Sequence, residues 1–139
     1  MYPAGTVGQN IKSIQVIKPA SQAASTVNSS GIDTAGYDEA IVILDCGTTA
    51  ATGTLDVAVQ DSADNSSFTA ISPAVAFTQV TPANDDALYV GVLKVETPIR
   101  RYIRIQGITA AAASIYGVSV HLTKAVVNPS QTPQWVLPA

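Results

Sequence analysis

Residues 37–71, YDEAIVILDCGTTAATGTLDVAVQDSADNSSFTAI, constrain the fold more than any other stretch. They read as an apolar strand, a Gly/Thr/Ala connection, an alternating strand, a polar turn and a third short strand. Within 54–60, Leu55, Val57 and Val59 share one face, and Asp56, Ala58 and Gln60 the other. A period of two marks an antiparallel strand with one solvated face. The run 40–46 is apolar on both parities apart from Asp45, which predicts a central strand buried on both faces. Residues 61–66 are rich in Asp, Asn and Ser, which bond their own backbone in turns. The stretch contains no catalytic motif.

The remaining chain repeats this pattern. A first strand is expected over 11–17, with Ile14 and Val16 inward and Lys12 and Lys18 guarding its ends. Residues 19–34 show no period and are expected to form a long surface loop. Further strands are expected over 67–71, ending at Pro73, and over 75–80, ending at Pro82. Residues 87–95 follow, with Gly91 marking a bulge or the close approach of another backbone. Then comes 100–108, with Ile103 and Ile105 inward. The alanine-rich run 109–113 is too short to repay helix nucleation and is expected to be a loop. The last strand is 115–124, with Tyr116, Val118, Val120 and Leu122 inward.

About eight strands without an amphipathic helix predict an all-β fold, a single antiparallel β-sandwich. Jelly-roll and immunoglobulin-like topologies both fit. One domain is expected over 1–139, with an N-terminal arm at 1–10 and a proline-containing C-terminal arm at 125–139. That second arm holds the only tryptophan, Trp135, beside Val136 and Leu137. An aromatic tip on an extended arm is an efficient contact, on its own domain or on a neighbouring subunit.

Charged residues are only 12% of the chain, about half the usual share. The surface is therefore Ser-, Thr- and Ala-rich, which suits protein contact. A net charge of −3 argues against a nucleic-acid partner, which calls for a basic excess. No apolar run approaches the roughly 20 residues of a membrane span, and no secretory leader is apparent. The two Asn-x-Ser sequons, at Asn28 and Asn65, are then expected to be polar loop sequence.

Candidate chemistry is sparse. The single cysteine, Cys46, falls in an apolar strand and is expected to be a buried, inert thiol. The single histidine, His121, lies on the outward parity of its strand, without the second group that acid–base catalysis needs. One His and one Cys fall short of a zinc set. Asp61, Asp64 and Asn65 crowd one turn, and Asp85 and Asp86 another. Calcium takes such oxygens, but no twelve-residue loop with a terminal Glu is present, so self-bonded turns are expected. No cofactor, metal or small-molecule substrate is expected, and no enzyme. Arg100, Arg101 and Arg104 cluster near one strand, where they are candidates to meet acidic loops or a partner's carboxylate.

Three segments in order carry a resemblance. They are Ile32-Asp33-Thr34-Ala35-Gly36-Tyr37-Asp38-Glu39-Ala40, the hairpin from Val57 to Phe68, and Arg101-Tyr102-Ile103-Arg104. Together they resemble small structural proteins of tailed-phage virions, over about residues 32–122. The resemblance implies a capsid decoration (cement) protein on the outer capsid surface, made in the host cytoplasm. Its implied partners are the major capsid protein and two further copies in a homotrimer. The contacts would come from Trp135, Val136, Leu137, Arg100, Arg101 and Arg104, with the arms and the 19–34 segment. Gln60 to Phe68 and Arg101 to Ile105 also resemble discoidin-like jelly rolls, without their paired cysteines. That second likeness supports the sandwich rather than sugar binding; the alternative function is a carbohydrate- or host-binding module of a phage tail or head fibre.

Overall fold

The computed structural model describes residues 11–96 and 98–123. Nine strands and no helix appear among them: β1 (Lys12–Gln22), β2 (Ser25–Asn28), β3 (Ile32–Asp33), β4 (Glu39–Thr49), β5 (Thr54–Ser62), β6 (Thr69–Ala70), β7 (Leu88–Lys94), β8 (Tyr102–Ala110) and β9 (Ser114–Thr123). One sheet, here sheet A, has the order β1-β9-β4-β7. The other, sheet B, has the order β2-β8-β5-β6, with β3 also on β8.

The pairing decides between the two topologies left open above. β1 pairs with β9, β2 and β3 with β8, β4 with β7, and β5 with β6, all antiparallel. The first half of the chain thus pairs with the second half in reverse order, like one long hairpin. Its tip is the polar turn after β5, and the hairpin is rolled so that its strands alternate between two sheets. That is a jelly roll.

The core lies between the sheets and follows the period of two. Ala40, Val42, Leu44 and Cys46 of β4 face Leu55, Val57 and Val59 of β5, with Ile103 and Ile105 of β8 and Val118, Val120 and Leu122 of β9. Full burial of each larger side chain stabilises the fold by about 1.5–3 kcal/mol.

Several expectations are corrected. β4 is central in sheet A, but it is buried on one face only. Ile41 and Ile43 are half-buried on the outer face, because among the described residues no layer covers sheet A from outside. The expected loop 19–34 instead contains the end of β1, all of β2 and β3. Its strands are held by backbone and hydroxyl bonds that apolar periodicity does not register. Ser29 N–H donates to the Ile105 carbonyl at 2.9 Å, and Ile105 N–H donates to Ser29 Oγ at 2.9 Å. β1 runs on through Pro19 because its register shifts after Gln15 and again after Ile17. The first shift makes Ile17, rather than Ile14 or Val16, the most buried side chain of that strand.

The strand expected at 67–71 shrinks to two residues, β6. Residues 75–80 touch β5 only by isolated bridges at Ala76 and Val80. Thr109 and Ala110 continue β8, so the expected loop starts at Ala111, whose φ is 66°. Gly91 makes no bulge, since β7 keeps continuous register with β4. What approaches it is a side chain, the Phe77 ring, 3.4 Å from where a Cβ would stand.

Candidate functional site

The three arginines converge on the start of β8, but two are committed within the chain. Arg100 closes on Asp61 at the end of β5. Its backbone N–H donates to Asp61 Oδ2 at 2.9 Å, and Nη2 donates to Oδ1 at 2.7 Å and to Thr69 Oγ1 at 2.6 Å. Asp61 is only 4% exposed. Burial pushes its carboxyl up, but the Arg100 side-chain and backbone bonds outweigh this and hold it below the usual carboxylate range. This clamp ties β5, β6 and the entry to β8 together.

Arg101 grips Asp33 of β3 with two parallel bonds, Nε to Oδ1 and Nη2 to Oδ2, each 2.8 Å. That grip lowers the Asp33 carboxyl to about 2. Arg104 differs. Its Nε donates to Gln60 Oε1 at 2.7 Å and its guanidinium lies 4.8 Å from the Phe68 ring centroid. Among the described residues it meets no carboxylate. Trp135, Val136 and Leu137 lie outside the described residues.

The acidic turns bind backbone. Asp64 Oδ1 accepts from the N–H groups of Ser66 and Ser67 at 2.9 Å each. These bonds, with one from Ser62, lower its carboxyl to about 2. Asp85 Oδ2 accepts from Thr49 N–H at 2.6 Å. Among the described residues no three metal-binding side chains come together.

Cys46 points into the core and His121 away from it, so strand parity keeps the two apart. Burial first, then Asp45 and Asp85, pushes the Cys46 thiol up to about 11. His121 bridges two hydroxyls, Ser13 Oγ at 2.8 Å from Nδ1 and Ser119 Oγ at 3.0 Å from Nε2. The Ser13 contact comes from a strand over a hundred residues away, so it has no signature in local sequence.

The residues that sequence reading passed over are on β7. Leu88, Val90 and Val92 are 60%, 58% and 62% exposed on the outer face of sheet A. Beside them stand Ile43, opposite Val90, and Ile41, opposite Val92. Among the described residues β7 is also an edge, paired on one side only. Between that edge and residues 74–78 runs a groove of about 490 Å³. The alternation of 88–92 is legible in the sequence; the exposure of its second face is not. Chemically, this arrangement can bury apolar surface and offer backbone hydrogen bonds to another chain.

The described residues thus form an all-β jelly roll with an exposed apolar row at one sheet edge. No protein-family model matches the chain, and no curated protein matches it. Among solved structures it is similar to the PBSX exported protein XepA, with TM-score 0.57 and 14% identity over 99% of this chain and 50% of that one. It is also similar to the structure of infectious bursal disease virus Gx strain, with TM-score 0.55 and 12% identity over 89% of this chain and 34% of that one. This chain therefore spans half of the first and about a third of the second. At such identities the likeness is one of fold.

Proposed function

We propose that this protein is a structural component of a virus particle, a decoration protein seated on the outer capsid as a homotrimer with the major capsid protein as its partner. The observation that carries this reading is the apolar row Leu88, Val90 and Val92, more than half exposed on an uncovered sheet face. Exposed apolar patches of that kind mark protein contact surfaces. Support comes from the jelly roll, which is common among viral capsid proteins, from a virus structure among its fold neighbours, and from the motif resemblance. Fold alone does not carry function; the row on β7 does that here.

On this reading the work is binding, with no catalysis, cofactor or small-molecule substrate. A protein that binds only the assembled lattice stabilises it by mass action. Cyclic symmetry lets one patch serve three times, and Arg104 is available to a carboxylate on the capsid.

The test uses purified particles of the encoding virus, stripped of this protein and sedimented with the added chain. Wild type co-sediments. The double variant Leu88→Asp, Val92→Asp binds roughly 100-fold or more weakly, because two buried apolar contacts become buried charges. Absence of the chain from native particles, or equal binding by a correctly folded double variant, overturns the reading.

A further inference from the structure

Among the described residues sheet A ends in two edges, and they are built differently. β1 carries Lys12, Lys18 and Pro19 and has two register shifts. Lysine, proline and bulges all discourage another strand from pairing. β7, with sequence LYVGVLK, has no proline and no bulge, and its one lysine stands at its end. Ala87 and Cys46 exchange both backbone bonds, and Val95 N–H donates to the Asp38 carbonyl. By the period of two, odd-numbered residues of β7 therefore bond to β4. The N–H and C=O groups of Leu88, Val90, Val92 and Lys94 point out along the other side. Under the inner side of that edge lies the groove, lined by Val42, Val59, Phe77, Tyr89, Gly91 and Leu93.

The two ends of β7 carry charge of one sign. Asp85 and Asp86 stand just before the strand, and Asp45 pairs with Leu88 across the ladder to β4. At the other end, Asp38 and Glu39 lie where β4 begins, and Glu96 follows β7. β4 and β7 hold one cation between them, Lys94. Its Nζ lies 4.0 Å from Asp38 and 3.7 Å from Glu39. Both ends are therefore acidic, and the apolar row Leu88, Val90 and Val92 runs between them.

We infer that β7 accepts, as an added strand, an extended apolar segment of another protein that carries Lys or Arg at both of its ends. The inference rests on the proposed capsid role only in naming that protein as the major capsid protein. The outward ladder calls for an extended backbone. The period of two then sends alternate side chains of the segment to two places. One set lies beside the outer row and the other over the groove, so both parities are apolar along the middle. The acidic ends place the segment's cations. Charge also selects against a second copy, since antiparallel pairing of β7 with itself sets acidic end against acidic end, and opposed like charges destabilise a strand pair. β1 of another copy has the lysines, but its register shifts interrupt the ladder.

The probe is the synthetic peptide Lys-Lys-Thr-Leu-Thr-Leu-Thr-Lys-Lys, with two controls, one carrying Glu for every Lys and one with alternate backbone nitrogens methylated. At saturating peptide the Val90 and Val92 amides of the full chain are expected to exchange at least ~10-fold more slowly than without it. The Glu-ended control is expected to bind at least ~10-fold more weakly, with the difference shrinking as salt is raised. The double variant Asp45→Lys, Glu96→Lys, at two exposed positions, is expected to narrow or invert that preference. Unchanged Val90 and Val92 amides, equal binding of the Lys- and Glu-ended peptides, or equal binding of the methylated peptide overturns the inference. So do amides already slow without peptide, or slow only as the protein is concentrated, which assign the edge to this chain or to a second copy. The two readings fail separately. A chain that co-sediments with particles but ignores the peptide loses the basic-ended segment and keeps the capsid role. A chain that binds the peptide but is absent from native particles does the reverse.

Discussion

Tyr116 crosses the sandwich from β9 and lays its ring where Gly107 of β8 has no side chain. A Cβ at Gly107 would stand 2.3 Å from the Tyr116 Oη, 2.9 Å from Cζ and 3.0 Å from Cε2. The side chain is 1% exposed, and among the described residues its hydroxyl has no hydrogen-bond partner. Burial pushes that phenol's pKa up. A hydroxyl buried without a partner costs about 1–3 kcal/mol. Tyr116→Phe removes the cost and gives up only the dispersion contacts of one oxygen, a few tenths of a kcal/mol. The variant should therefore be more stable than wild type by about 1 kcal/mol, or about 3–5 °C in Tm for a chain of this size. Urea unfolding followed by circular dichroism checks it, with an unchanged slope and a raised midpoint. Gly107→Ala should cost about 3 kcal/mol, since the ring and both strands resist so deep an overlap. A destabilised Tyr116→Phe would mean that the hydroxyl is satisfied, and a neutral Gly107→Ala would mean that the ring does not lie there.

Asp61→Ala removes the acceptor of the Arg100 backbone N–H and of its partly exposed guanidinium and should cost about 1–2 kcal/mol, the worth of lost hydrogen bonds rather than of a stranded buried charge; a change under about 0.5 kcal/mol in urea midpoint stability would refute the clamp. Asp33 and Asp61 are held below their unfolded pKa of about 3.9, so their contribution is complete above that value and is lost as pH falls through the folded values, about 2 for Asp33. The urea midpoint should be flat from pH 7 to about 5 and then fall toward pH 2, and less steeply in Asp61→Ala; equal slopes would show that Asp61 is not a source of the fall. Cys46, buried and raised to about 11, should resist Ellman's reagent at pH 8 until the protein is unfolded, and immediate labelling would contradict its place in the core.

What was legible in the sequence follows from which interactions leave a local trace. The alternation of Leu55, Val57 and Val59, and of Tyr116, Val118, Val120 and Leu122, comes from burial on one face, so it gave the correct inward sets. β2 and β3 were invisible because Ser25, Thr26 and Ser29 are held by β8 through hydroxyl and backbone bonds, and short polar strands carry no apolar period. Ile41 and Ile43 look like core residues in the sequence, so β4 reads as buried on both faces, whereas their neighbours Val90 and Val92 show that they belong to the exposed outer face of sheet A. The arginine cluster was visible as composition, but the partners of Arg100 and Arg101, Asp61 and Asp33, lie 39 and 68 residues away. Nothing local could separate them from Arg104.

That separation also divides the surface by what each side can still do. At the start of β8, the charges of Arg100 and Arg101 are matched by carboxylates, and forming new contacts there would mean breaking bidentate or buried bonds. On β1, lysine, proline and two register shifts make the edge a poor template. On β7 neither device is present: four backbone donors and four acceptors point outward, three large apolar side chains stand in a row, and an apolar groove runs beneath. Each unmet backbone group or exposed side chain is solvated at modest cost alone. Seven residues of β7 with all three features give any extended apolar segment both a ladder and a socket. A sheet edge in that state is stable against unwanted pairing only if something specific covers it. Among the described residues nothing covers the β7 edge or its outer row, so a chain that docks there gains a ladder and an apolar contact at one place.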